Sequence, residues 1–163
     1  MVYTDPLLAV YTLLSGAGGI QAAAITKDDG TTPATFGIQY YVDKPSWKSK
    51  HQLLEDLTTY NLLVSVARAN TESARPIQDV PLVWRSYVRV DLYAKNVVVG
   101  GVTTITARTL IFKAICEVRR VVGANSFGSG YRQQVFTEKD EPHLYDPTAT
   151  LYKYSILIRR DDW

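Results

Sequence analysis

Two histidines and one cysteine are the rarest side chains of this 163-residue chain that could bind a metal ion or take part in catalysis. A metal site needs three or four converging ligands, and neither His51 nor His143 belongs to a sequence motif that supplies them. Cys116 could act as a nucleophile only beside a histidine. It lies near the edge of the apolar face of a predicted helix, so we expect a small core residue there.

Two glycine-rich segments and one acidic cluster have residue types that bind phosphate or cations. Residues 16–19 and 123–130 lack the spacing of a P-loop or a dinucleotide-binding fingerprint, and they are typical of helix ends and hinges. Glu138, Asp140 and Glu141 are followed at once by proline and lack the glycine of a calcium-binding loop, which favours a solvated loop. We therefore expect no cofactor, no metal and no enzymatic activity.

Arginine and tyrosine alternate along the segment 82–94, where Arg85, Tyr87 and Arg89 share one face with Tyr93. Such a face can bind single-stranded nucleic acid through phosphate contacts and base stacking. The same residue types are enriched at hot spots of protein–protein interfaces. A formal net charge of only +2 favours the protein interface, with a nucleic-acid-binding module as the alternative.

The composition limits the class of protein. With 46% apolar residues, a chain of this length can bury a core, and one domain spanning 1–163 is expected. No stretch reaches ~18 consecutive apolar residues, so no transmembrane helix is predicted. The N-terminus lacks the pattern of a signal peptide, and a single cysteine excludes an intrachain disulfide. These features favour a protein that is assembled in the cytosol.

The segment 82–122 predicts a strand followed by a long helix. Its first part alternates apolar and polar residues, which is the period of a strand with one buried and one solvated face. Apolar residues then recur at helical spacing: Ala107, Leu110, Ile111, Ala114, Ile115, Val118, Val121 and Val122. Thr103 or Thr104 is the expected N-cap. Lys113 and Glu117 are expected on the solvated back of the helix, where replacing Lys113 would be nearly silent.

The other elements follow from turn residues and shorter patterns. The first 60 residues predict a short helix that begins at Asp5-Pro6, a hairpin of strands 20–26 and 35–42 around an Asp-Gly turn, and a segment 44–59 that is either a short helix or a loop. Before the segment 82–122, the sequence predicts a strand at 62–69 and a long projecting loop at 70–80. After it, the sequence predicts a strand at 131–137, a charged loop at 138–148 and a strand at about 149–160.

This order predicts the α+β class. We expect a mostly antiparallel sheet packed against a long amphipathic helix and a short N-terminal helix. The hairpin and the possible helix within 20–60 are interpreted as an insertion in the single domain.

Three segments carry a resemblance to a known family: Leu62 to Val66, Trp84 to Tyr93 with the long helix after it, and Leu151 to Ile158. In this order, the chain resembles the tail terminator proteins of long-tailed bacteriophages and related viruses. The resemblance covers roughly residues 60–160 and the first helix. It implies a homohexameric ring that caps the tail tube and joins it to the head-side connector. Because residues 20–60 depart from the family pattern, another ring protein of the neck or tail is the alternative.

The resemblance also implies partners and a location. The partners are copies of the chain itself, the tail-tube protein and a head-completion or connector protein, while genome DNA passes through a polar lumen without specific binding. The protein would be assembled in the host cytoplasm and located in the virion tail or neck, with no membrane contact. Candidate interface residues are Glu72, Arg75, Asp79, Arg85, Tyr87, Arg89, Glu138, Lys139, Asp140, Glu141, Arg159, Arg160 and Trp163. A small enzyme or ligand-binding domain is a further alternative.

Overall fold

A computed structural model of the chain describes residues 5–41, 50–73, 84–124, 134–142 and 151–162. The helices are α1 (Pro6–Ser15), α2 (Lys50–Thr59) and α3 (Ala107–Ala124), with a short 3-10 turn at Ala22–Ala24. The strands are β1 (Phe36–Tyr41), β2 (Leu62–Ser73), β3 (Trp84–Lys95), β4 (Val97–Val99), β5 (Val102–Ile105), β6 (Gln134–Pro142) and β7 (Leu151–Asp162). None of these helices is long and apolar enough to cross a membrane.

The main sheet has five strands in the order β1-β2-β3-β7-β6. β1 pairs with β2 in parallel, and the other three pairs are antiparallel. β4 and β5 form a separate antiparallel hairpin just before α3. The predicted α+β class, with a mostly antiparallel sheet, is confirmed.

One face of the sheet is covered by α1 and α3. The predicted apolar stripe of α3 is buried in a single core with Leu7, Val10 and Leu14 of α1 and with alternate residues of the central strands. The strand residues are Leu62, Val64, Val66, Val88, Val90, Leu92, Ala94, Tyr154, Ile156 and Ile158. The period-2 pattern of β3 and the helical pattern of α3 therefore meet as predicted.

The start and end of α1 also follow the sequence. The Asp5 carboxylate accepts a hydrogen bond of 3.0 Å from the N–H of Leu7, and Pro6 occupies the first turn. After the helix, the chain folds back so closely that a Cβ on Gly19 would overlap the carbonyl of Leu14. Only glycine fits this approach, so the glycine-rich segment 16–19 acts as a helix stop.

The second face of the sheet is not uniformly solvated, which corrects the prediction. Leu53 and Leu57 of α2 form a small second core with Leu63 and Tyr93. Residues 44–59 are thus helical from Lys50, and 42–49 lie outside the described residues. Period-2 alternation could not reveal this cover, because it reports the polarity of a face and not which distant helix packs on it.

The predicted hairpin of strands 20–26 and 35–42 is wrong. Residues 21–24 are exposed and partly form the 3-10 turn, and the one isolated bridge among the described residues joins Thr26 to Pro33, which lies before the predicted second arm. β1 instead lies parallel to β2, with Phe36 opposite Leu62. Parallel neighbours require a crossover connection, and α2 provides it.

Two predicted loops are partly strands. β2 continues to Ser73, opposite Trp84, so only 74–80 of the predicted loop falls outside the described residues. β6 includes Glu138 to Glu141, which were expected in the loop 138–148, while 131–133 of the predicted strand lie outside the described residues. Backbone pairing with β7 does not depend on side-chain polarity, and charged residues are common on edge strands.

The N-cap prediction for α3 is also wrong. Thr103 and Thr104 belong to β5, and the helix begins at Ala107. Gly100 and Gly101 have positive φ values of 58° and 80°, which a two-residue turn between β4 and β5 requires. A hairpin therefore replaces the simple turn that was expected at 96–101.

Candidate functional site

A row of polar residues crosses the second face of the sheet. Ser65 of β2, Asp91 of β3 and Ser155 of β7 lie directly opposite one another. The Asp91 side chain has no exposed surface. Its carboxylate accepts hydrogen bonds of 2.9 Å from Arg89 Nε and 2.5 Å from Ser155 Oγ, and Lys153 Nζ lies 3.7 Å away. The charge is therefore neutralised where it is buried, as buried carboxylates require.

Ser65 is a less favourable member of this row. The residue has no exposed surface, and its Oγ has no hydrogen-bond partner. A buried, unsatisfied hydroxyl costs about 1–3 kcal/mol. The row thus contains one satisfied carboxylate and one unsatisfied hydroxyl.

The structure places the predicted arginine–tyrosine face beside this row. Arg89 uses its Nε–H on Asp91, so part of its charge is already neutralised within the chain. Lys153 Nζ lies 5.7 Å from the ring centroid of Tyr93. Asp91 and Tyr93, which were expected on a solvated face, are buried. Arg89 is thus less available for phosphate than the nucleic-acid alternative requires.

Several other predicted interface residues occupy neighbouring register positions. Arg85 lies opposite Glu72 of β2 and Asp161 of β7, and Tyr87 lies opposite Arg159. Arg160 lies opposite Ser86. Glu138, Lys139, Asp140 and Glu141 follow one another along β6, on the edge of the sheet. Arg75, Asp79 and Trp163 lie outside the described residues. The candidates thus divide between one end of the central strands and one sheet edge.

The outermost strands of the main sheet are β1 and β6. No strand in the described part of the chain pairs with the outer edge of either one. Unpaired strand edges present backbone N–H and C=O groups that readily pair with another strand. Both edges are therefore candidate assembly surfaces.

Among the residues whose exposure the structure describes, the most exposed large apolar side chains are ones that were not predicted from the sequence. Val98, Val99 and Val102 of the β4–β5 hairpin are 58%, 62% and 65% exposed, and Phe112 on α3 is 64% exposed. The Gly-Gly pair between two runs of valine and threonine was the available signal, since it is typical of a hairpin turn. Cys116, one helical turn after Phe112, is exposed, so the expectation of a core cysteine is wrong.

Side chains from distant segments fix the start of α3. Asn96 Oδ1 accepts a 2.8 Å hydrogen bond from the N–H of Ala107, and the Asp28 carboxylate accepts hydrogen bonds from the N–H and hydroxyl of Thr106. A carboxylate at this position also interacts favourably with the helix dipole. These contacts replace the local threonine cap that was predicted.

The loop before β1 is held against α3. Lys113 Nζ donates to the carbonyl and hydroxyl oxygens of Thr26, at 2.8 and 2.9 Å. Within the loop, the hydroxyl and N–H of Thr32 and then the N–H of Thr31 lower the pKa of Asp29 from 3.8 to about 2. Lys113 is thus an anchor for this loop, and the expectation that its replacement would be silent is revised.

Glu117 joins α3 to the segment after α1. The residue is buried, contrary to the prediction, and its carboxylate accepts hydrogen bonds from Arg120 and from the N–H of Gln21. Arg120 also donates to the carbonyl of Gly19 at 2.8 Å. The hydrogen bonds from Arg120 lower the pKa of Glu117, against the opposing effect of burial.

Metal ligands are not assembled in the part of the chain that the structure describes: no group of three or more His, Cys, Asp or Glu residues there could hold a metal ion. His143 lies outside that part.

Comparisons with known proteins give a structural likeness and no family. No family model matches the chain, and no curated protein matches it. A chain of the virion of a native gene transfer agent (GTA) particle is similar to it in structure, with 14% sequence identity and a TM-score of 0.49. The alignment covers 96% of this chain and 92% of that chain.

Proposed function

We propose that this chain is a structural protein of a phage-like virion. It assembles into a homohexameric ring that terminates the tail tube and joins it to the head-side connector, while genome DNA passes through the lumen. The observation that carries the proposal is that no described strand pairs with the outer edge of β1 or of β6 in the five-stranded sheet.

The directions of these two edges favour a ring. β1 runs parallel to β2, and each later strand of the order β2-β3-β7-β6 reverses direction. β1 and β6 therefore run in opposite directions. Rotation about an axis that lies along the strands keeps strand directions, so β6 of one copy would meet β1 of the next as an antiparallel pair. Antiparallel pairing is the slightly more stable kind, and contacts between two different edges form a ring when the rotation between neighbouring copies closes.

The order of elements supports the same proposal. A short helix, two long antiparallel strands, a long amphipathic helix and two closing strands follow one another as in the family that the sequence resembles. The tail-tube protein and the connector are the proposed axial partners. The charged candidates Glu72, Arg85, Arg159 and Arg160 lie at one end of the central strands, where they would meet a stacked neighbour.

The mass of the purified protein in solution tests the ring. We expect light scattering to give six times the mass of the chain, and electron microscopy of the same sample to show rings with a central opening. Addition of the tail-tube protein of the same particle should place the ring at the tube end. A protein that remains monomeric at high concentration, with the tail-tube protein present, contradicts the proposal.

A pair of proline variants tests whether the β1 edge is used. Neighbouring residues of a strand point their N–H groups to opposite sides, so one of Ile38→Pro and Gln39→Pro breaks a hydrogen bond to β2 and the other removes a donor from the outer edge. We expect the variant that still unfolds cooperatively to lose the ring. A folded proline variant that retains the full mass would show that this edge is not an interface.

A further inference from the structure

The β4–β5 hairpin, residues Val97–Ile105, is a preorganised apolar projection. Its base is fixed, because Ile105 is buried in the main core and Asn96 caps α3 through the N–H of Ala107. Its turn is formed by Gly100 and Gly101. Val98, Val99 and Val102 remain more than half exposed, and no charged residue occurs from 96 to 106. A rigid surface of this kind loses little entropy when it binds.

A second exposed apolar patch lies on the outer face of α3, where Arg108 and Arg119 flank it. Phe112 is 64% exposed, and the exposed Cys116 follows it at the i, i+4 spacing that places two residues on the same helix face. The hairpin of the same chain leaves Phe112 uncovered. Phenylalanine is enriched in protein interfaces relative to the rest of the protein surface.

We propose that the hairpin of one copy docks on the outer face of α3 in a second copy, with Val98, Val99 and Val102 against Phe112 and Cys116. The inference rests on the proposed self-assembly. A contact of this kind is heterologous: each copy contributes its hairpin to one neighbour and its α3 face to the other, as a closed ring requires. The hairpin brings no charge into the interface, and Arg108 and Arg119, which flank the α3 patch, already interact within their own chain.

The hairpin is too small to form a stable interface by itself, so its contact would supplement the pairing of the sheet edges. A stable interface buries about 800 Å² on each partner. β4 has three residues and β5 has four, which is too little surface for that area alone. The hairpin contact would therefore select the neighbour's position, while pairing of β1 with β6 supplies the remaining area.

The single native cysteine allows a direct test. Val99→Cys places a second thiol on the hairpin, and a disulfide forms only if the two Cα atoms come within about 7 Å. Under mild oxidation we expect V99C, or the neighbouring variants V98C and V102C, to give a ladder of linked chains through Cys116 of the next copy. The wild type and the control V99C/C116S should give no ladder. Dimers from V99C/C116S would overturn the inference in favour of hairpin-to-hairpin contact.

Charge substitutions test the same contact without cysteine. Val99→Asp and Phe112→Lys should each raise the dissociation constant of the assembly by about tenfold or more, whereas V99D/F112K should restore it, because the new charges would face each other between copies. Thr58→Asp, on the exposed face of α2, is the control and should leave assembly unchanged. If rings form normally in V99D and F112K, this inference is overturned but the proposed function is not. The same holds if rings form and none of the three cysteine variants gives a ladder. A wild-type protein that never assembles overturns the proposed function as well.

Discussion

Asp91 illustrates how a buried charge is held at the centre of the sheet. Its carboxylate interacts with Arg89, Lys153 and Ser155, and each contact comes from β3 itself or from β7. Removing one partner of a buried ion pair is strongly destabilising, because the remaining charges lose their neutralisation. The two cations here are partly exposed and can be rehydrated, so the cost should lie near the lower end of the usual range.

Asp91→Ala should lower the free energy of unfolding by about 3 kcal/mol. Urea denaturation, followed by circular dichroism, measures the change. Ser155→Ala, which removes only one donor to the carboxylate, is the control and should cost about half as much. A change below ~0.5 kcal/mol for Asp91→Ala would show that the ion pair contributes no stability.

Ser65→Ala should leave the stability unchanged or raise it by up to about 1 kcal/mol, because it removes a buried hydroxyl that has no partner. The same denaturation measurement applies. Ser65 and Asp91 lie opposite each other in the sheet. The two variants therefore compare the loss of an unsatisfied polar side chain with the loss of a satisfied one at neighbouring positions. A clear loss of stability in Ser65→Ala would mean that the hydroxyl is bonded in solution.

Glu117 should make the stability sensitive to acid. Its pKa in the folded protein lies below the ordinary value of 4.5, so its interaction stabilises the fold above about pH 4.5 and is lost as the pH falls through the folded pKa. Glu117→Gln should lower the stability at neutral pH and flatten its decline in acid. Denaturation between about pH 3 and pH 7 tests this. Glu55→Gln, on the exposed side of α2, should follow the wild-type curve; equal slopes for all three proteins would contradict the prediction.

At the scale of the elements, α3 has two faces with different tasks. One face fills the main core, and its polar residues Lys113 and Glu117 attach the loop at 26–27 and the segment after α1. The opposite face carries Phe112 and Cys116 and is exposed. Neighbouring residues of this helix should therefore respond very differently to truncation.

Ile111→Ala should destabilise the chain by about 2–5 kcal/mol, because it leaves a cavity in the main core. Phe112→Ala, at the next position, should change the stability of the isolated chain by less than ~0.5 kcal/mol. Thermal or urea denaturation at low protein concentration measures both. A large loss in Phe112→Ala under these conditions would show that Phe112 packs within its own chain and would contradict the docking inference.

At the scale of the whole molecule, the proposed ring couples folding to association. A protein whose folded form binds copies of itself is stabilised by mass action, so its melting temperature rises with concentration. We expect the Tm of the wild type to increase over a hundredfold range of concentration, and that of V99D to increase less. A Tm that does not depend on concentration would argue against self-association.

The sequence predicted those features that depend on neighbouring residues of the chain. The α+β class, the strand at 84–95 and the helix at 107–124 followed from periodicity, and α1 followed from Asp5 and Pro6. Local patterns determine such elements, because a side chain's position on a helix or a strand is set by its spacing from the next. The alternating arginines and tyrosines could be found in the same way.

Only the tertiary structure decided which distant segments lie side by side. It paired β1 with β2 in parallel, placed α2 over Tyr93, and left Asp91 and Ser65 buried on the face expected to be solvated. It also left Val99 and Phe112 exposed, although valine and phenylalanine are common in cores. Burial depends on what covers a residue, and that cover comes from segments far away in the sequence, so no local pattern could specify it.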